Sequence, residues 1–87
     1  MWDWDEEKRQ ATLVQRGIDF STVMGLDLAE AVTRPDLRRD YGEPRFRALG
    51  LIGGRLHAVV FTPRDGRLRL ISMRKANRRE ERIWENR

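Results

Sequence analysis

Residues 74–80, Arg-Lys-Ala-Asn-Arg-Arg-Glu, hold the cluster whose residue types and spacing best suit chemistry on an anion. Guanidinium groups grip phosphate oxygens through paired N–H donors. Arg74, Lys75, Arg78 and Arg79 converge where a strand pattern gives way to a helix pattern. A helix N-terminus there adds backbone N–H donors for the same anion. Arg67 and Arg69 occupy the outward positions of the strand leading in. Between residues 64 and 87, nine Arg and Lys face four acids, a net of +5, whereas residues 1–63 carry nine basic and ten acidic side chains, a net of −1. The +4 of the whole chain is therefore a property of its C-terminal third. Such a cluster binds a nucleic-acid backbone without regard to base sequence, or docks an acidic protein. A solvated face that only keeps the protein soluble fits the same composition.

Other chemistries find little footing. The single histidine, His57, falls on a central strand, so no Ser-His-Asp set forms and a structural role suits it better. With no cysteine and one histidine, thiolate and His-rich metal sites are excluded, as are disulfides. Gly53-Gly54 reads as a two-residue hairpin turn and not as a phosphate-cradling loop. The carboxylate pairs Glu6/Glu7 and Glu80/Glu81 sit in first helical turns, where the helix dipole accounts for them. No metal or cofactor is expected.

The elements that must position the cluster follow from the pattern of apolar residues. Eighty-seven residues, 39% hydrophobic and 37% charged, make one globular domain, 1–87, with a small core. Trp2-Asp3-Trp4 predicts a short first strand with both indoles on one face. Asp5 predicts the cap of a helix running to about Arg16, with Ala11, Leu13 and Val14 as a modest apolar stripe and Gly17 as its left-handed stop. Asp19 predicts a second, short helix through Phe20, Val23 and Met24, weakened by Gly25. Residues 34–44, with two prolines and mixed charge, read as a mobile loop. Three strands then alternate through Arg45–Ile52, Leu56–Thr62 and Arg67–Ser72, joined by turns at 53–54 and 63–66. Met73–Ala76 is the corner, and Asn77 with Glu80 forms a capping box for the last helix, whose Ile83 and Trp84 would pack on the sheet. The expected class is α+β: a short β-strand, two N-terminal helices, an antiparallel meander and a C-terminal helix. The longest apolar run, Ala58–Phe61, is too short to span a bilayer, and no secretory signal is read, so a cytoplasmic protein without membrane contact is expected.

The chain also resembles a known family. Trp4-Asp5 with Lys8, Gly17-Ile18 and Phe20, Arg45-Phe46 ahead of Ala48-Leu49-Gly50, and Thr62 are similar to the BrnT toxins of bacterial type II toxin–antitoxin pairs. The most specific stretch is Ile71-Ser72-Met73-Arg74-Lys75-Ala76-Asn77 with Arg78-Arg79-Glu80. The resemblance implies a small RelE-like domain that cleaves RNA without metal and inhibits growth. Its partner would be an antitoxin, commonly a ribbon–helix–helix protein, in a heterotetramer or larger complex that reaches operator DNA only through the antitoxin. It implies Lys8, Arg74, Lys75 and Arg79 as catalytic candidates, and Arg45, Arg64, Arg67, Arg69, Arg78 and Trp84 as RNA contacts. The chain departs from the family pattern where Arg16 replaces a histidine, Glu6 a proline, Met73 a small residue and Trp84 a tyrosine. Two other readings stay open beside this one: a non-catalytic basic module that docks an acidic partner or nucleic acid, and an inactive remnant.

Overall fold

In the computed structural model, which describes residues 1–87, the chain forms β1 (Trp2–Asp3), α1 (Glu6–Arg16), a 3-10 helix (Phe20–Gly25), β2 (Val32–Pro35), β3 (Phe46–Ile52), β4 (Arg55–Arg64), β5 (Arg67–Lys75) and α2 (Arg78–Glu85). The strands make one mixed sheet in the order β1–β5–β4–β3–β2, with β1 parallel to β5 and the other neighbours antiparallel. The class is α+β, but the RelE-like plan of two N-terminal helices and a three-stranded meander is corrected on both counts.

The second helix does not form. Asp19 accepts hydrogen bonds from the Ser21 amide and hydroxyl, and only one stretch of 3-10 helix follows before Leu26 turns extended. Ser21, Thr22 and Val23 are poor interior residues for an α-helix, through backbone competition or β-branching, and Gly25 weakens the end. The sheet gains β2 instead. Val32 and Thr33 favour extended chain, and Pro35 is harmless because β2 lies at the sheet edge, where a missing N–H breaks no ladder. The loop read at 34–44 therefore begins later. It is held by Asp36 bonded to Arg38 and Tyr41, by Arg45 stacked over the Tyr41 ring at 4.1 Å, and by the Thr62 hydroxyl donating to the Pro44 carbonyl.

One face of the sheet carries the core. Ala48, Val59 and Met73 align across β3, β4 and β5, as do Phe46, Phe61 and Leu70. Phe20, Val23, Ile18 and Leu26 cover them from the 3-10 segment and its flanks. Gly50 admits this cover, since a Cβ there would come within 2.4 Å of Leu26 Cδ1. Trp2 meets Phe61 edge-on at 5.5 Å, so the first strand closes one side of the core. Helix α1 is capped by Asp5 and Gly17 as the sequence predicts, yet it buries no residue. Its Leu13 and Val14 stay exposed.

The decisive irregularity lies in β5. Leu70 pairs with Phe61 and Ser72 with Val60, so Ile71 is an extra residue, a β-bulge. Plain alternation from Leu68 and Leu70 would turn Ser72 and Arg74 toward the core. The bulge resets the register: Met73 fills the core at 2% exposure and Arg74 faces the opposite side of the sheet. Strand β5 consequently runs on to Lys75, and the predicted corner shrinks to Ala76 and Asn77.

Candidate nucleic-acid interface

The second face of the sheet bears a groove of about 360 Å3 between α2 and the strands. Its floor is apolar, formed by Val32, Leu49, Ala58 and Val60. Its walls are cationic: Arg34 from β2, Arg38 from the following loop, Arg47 from β3, Arg74 from β5 and Arg79 from α2. Glu80 is the one acidic residue lining it. Arg34 and Arg47 are direct cross-strand partners, a like-charge pairing that opposes sheet stability. A cavity that concentrates positive charge against the interest of its own sheet fits an anion.

Two of the five guanidinium groups are anchored. Arg74 donates from Nη1 and Nη2 to the two carboxylate oxygens of Glu80, at 2.7 and 2.9 Å. Glu80 Oε1 also accepts the Asn77 amide, so the capping box of α2 and the grip on Arg74 share one carboxylate. The Arg74 hydrogen bonds hold the Glu80 carboxyl below its ordinary range, with the Asn77 amide and the Arg47 charge adding to the effect and burial opposing it. The same contact raises the Arg74 value, against burial and the nearby Arg38 charge. Arg38 is gripped likewise by Asp36, whose side chain is fully buried. The Arg38 hydrogen bonds hold that carboxyl far below the carboxylate range. Arg34, Arg47 and Arg79 take part in none of the ion pairs.

Of the residues singled out from sequence, Arg74 and Arg79 come together in this groove. Lys75 follows Arg74 on β5 and takes the other face, opposite His57 in register. His57 is itself buried and bonded through Nδ1 to the Arg55 carbonyl. Lys8, on α1, donates from Nζ to the carbonyl of Ile71, the bulge residue that re-aims Arg74. Arg45 and Arg64 share Glu43, at 3.4 and 2.9 Å, at the far end of β3 and β4. Arg69 reaches Asp3 at 3.5 Å, and Arg67 lies exposed beside the β4–β5 turn. Arg78 is exposed at the first position of α2. Trp84 sits in a separate depression with Leu51, Leu56 and Glu81, and the Arg87 guanidinium lies 3.6 Å over its ring. Arg34, Arg38 and Arg47 escaped the sequence reading. For Arg47 the strand alternation was a usable signal, because it opposes Phe46 and Ala48. For Arg34 and Arg38 no local pattern pointed to the groove.

Five carboxylates with lowered values, Glu6, Asp19, Asp36, Glu43 and Glu80, make stability depend on pH in a definite sense. Their stabilisation is complete above the unfolded-state values of 3.8 for the two aspartates and 4.5 for the three glutamates. It drains away as pH falls through the lower folded-state values. Thermal melting should be level from pH 8 to 5 and decline below about 4.5. Asp36→Asn should melt lower than wild type at neutral pH and lose less on acidification, which melts of the two proteins across that range will read.

No helix is long and apolar enough to cross a membrane. Compared with known proteins, the chain matches a family model over residues 4–80, described as ribonuclease toxin, BrnT, of type II toxin-antitoxin system. No curated protein matches it.

Proposed function

The chain belongs to the BrnT family of ribonuclease toxins from type II toxin–antitoxin systems, and from that premise we propose that its arginine-lined groove binds and cuts single RNA strands without a metal ion. The observation that carries this reading is the convergence of Arg34, Arg38, Arg47, Arg74 and Arg79 around one apolar floor with a single acid among them. The reaction is attack of a ribose 2′-oxygen on the adjacent phosphorus. The new O–P bond forms as the bond to the 5′-oxygen breaks, leaving a 2′,3′-cyclic phosphate and a free 5′-hydroxyl. Charge grows on the non-bridging oxygens, where fixed N–H donors stabilise it most. Arg74 supplies a donor fixed in advance, Arg79 closes on the same oxygens as the strand binds, and Arg34 and Arg47 hold flanking phosphates. The 2′-proton passes to Glu80 or to water, and a proton returns through water to the departing 5′-oxygen. Lys8 and Lys75 lie outside the groove, and this reading gives neither of them the proton transfer. The type II family implies an antitoxin partner. We take it to be a ribbon–helix–helix protein that covers the groove, restores growth in the cytoplasm and alone contacts operator DNA.

One feature favours a second reading, a module that binds RNA without cutting it. Glu80 is held by Arg74 and Asn77 and its basicity is lowered, which makes it a weak proton acceptor. The test is incubation of the purified protein with RNA in excess chelator, followed by mapping of RNA ends. New 5′-hydroxyl and cyclic-phosphate ends support the first reading. Salt-sensitive binding with intact RNA supports the second.

A further inference from the structure

We infer that Asp36 is a positioning residue for this groove: it grips one edge of the Arg38 guanidinium so that the other edge is aimed at the phosphoryl group undergoing attack. The inference rests on the reading of the groove as the site of RNA cleavage.

The Asp36 carboxylate has no exposed surface, and a buried charge is retained only with close partners. Its partners are few and mostly one residue. Arg38 donates from Nε at 2.8 Å, from Nη2 at 2.7 Å and from its backbone amide at 3.2 Å. The Tyr41 hydroxyl adds a bond at 3.3 Å. The backbone is pinned as well, since the Asp36 amide donates to the Arg45 carbonyl at 2.8 Å. Only the Asp36 side of the pair is sealed. The arginine side chain stays 57% exposed and lines the groove. Guanidinium has five N–H donors in a rigid plane, and the grip on Nε and Nη2 leaves Nη1 and one hydrogen of Nη2 unused.

The same arrangement holds Arg74 through Glu80, so the groove has two sorts of arginine. Arg38 and Arg74 are fixed before the ligand arrives. Arg34, Arg47 and Arg79 have no carboxylate partner and must be ordered by the ligand. Donors fixed in advance stabilise developing charge without reorganising during the reaction. Donors ordered on binding add to affinity and its salt dependence, and among them Arg79 also reaches the reacting phosphoryl group. Asp36 should therefore act on turnover through Arg38, and hardly on binding.

Steady-state cleavage of a fluorogenic single-stranded RNA by wild type, Asp36→Asn, Arg38→Ala and the double variant reads this directly. Asp36→Asn should lower kcat about tenfold to a hundredfold, leave KM within about twofold, and have no further effect in the Arg38→Ala background. Arg38→Lys keeps the charge but cannot be gripped along one edge, so it should lose kcat as Arg38→Ala does. The Arg38 Nε–H resonance should be sharp and slowly exchanging in wild type, should shift when an uncleavable 2′-deoxy analogue is added, and should broaden in Asp36→Asn. Unchanged kcat in folded Asp36→Asn overturns the inference. So does an equal loss in the Arg38→Ala background, full kcat in Arg38→Lys, or an Nε–H signal indifferent to Asp36→Asn. If Asp36→Asn does not fold, the Arg38→Lys result and the wild-type response to the analogue decide. If wild type cuts no RNA, the cleavage reading falls, and the resonance still tells whether Asp36 holds Arg38 toward the ligand.

Discussion

Cells induced to express the Arg74→Ala/Arg79→Ala variant should grow at the uninduced rate, and cells expressing wild type without an antitoxin should stop growing. Both side chains enter the groove that the bulge at Ile71 and the start of α2 create. Removing one donor that meets developing charge costs about a hundredfold to a thousandfold in rate. Two such losses within one site do not multiply cleanly, yet a combined loss beyond about a thousandfold is expected. The fold should survive. Glu80 keeps the Asn77 amide and α2 keeps its cap, and a half-exposed ion pair contributes about 1 kcal/mol or less. The informative control is Arg16→Ala/Arg82→Ala, which removes the same charge from exposed positions outside the groove. It should stay toxic. Equal loss in both doubles would mean that bulk charge, not the groove, matters. Full toxicity of a folded Arg74→Ala/Arg79→Ala protein would sink the assignment of the site.

The contrast between Arg74 and Arg47 shows what the sequence made legible. Arg74 was visible because it sits in a local basic cluster beside a capping box, and both signals are short-range. The face it points to was not visible. Alternation from Leu68 and Leu70 places it toward the core, and only the pairing of β5 with β4 reveals the extra residue at Ile71. Arg34, Arg38 and Arg47 join the site through strand neighbours that are distant in sequence, and β2 itself was obscured by Pro35. The hairpin at Gly53-Gly54, with φ of 58° and 79°, and the caps at Asp5, Gly17 and Asn77 were read correctly because each is dictated by a few adjacent residues. The departures from the family pattern also gain locations. Met73 is a core residue, Arg16 and Glu6 are exposed on α1, and Trp84 lies under Arg87, so none of the four lines the arginine groove.

Phe20→Ala should remove toxicity by a different route, through the loss of folded protein. Phe20 is 1% exposed, and its 3-10 segment is the main cover over the core face of the sheet. Helix α1 touches this segment but has no buried residue of its own, so it adds little cover. The hole left by the ring has little to collapse into it, because the facing side chains belong to strands fixed by their ladders. Such a truncation costs about 3–5 kcal/mol. A domain of 87 residues has roughly 4–13 kcal/mol in total, at about 0.05–0.15 kcal/mol per residue. The melting temperature should therefore fall by about 15–30 °C, with soluble protein scarce at 37 °C. The exposed apolar neighbours give the comparison: Met24 is 71% exposed and Val14 86%, and truncating either should cost less than about 0.5 kcal/mol. Scarce Phe20→Ala protein should still cut RNA in proportion to its folded fraction at low temperature, whereas Arg74→Ala/Arg79→Ala should be abundant and inert. A Phe20→Ala protein that melts within a few degrees of wild type would show that the 3-10 segment does not close the core.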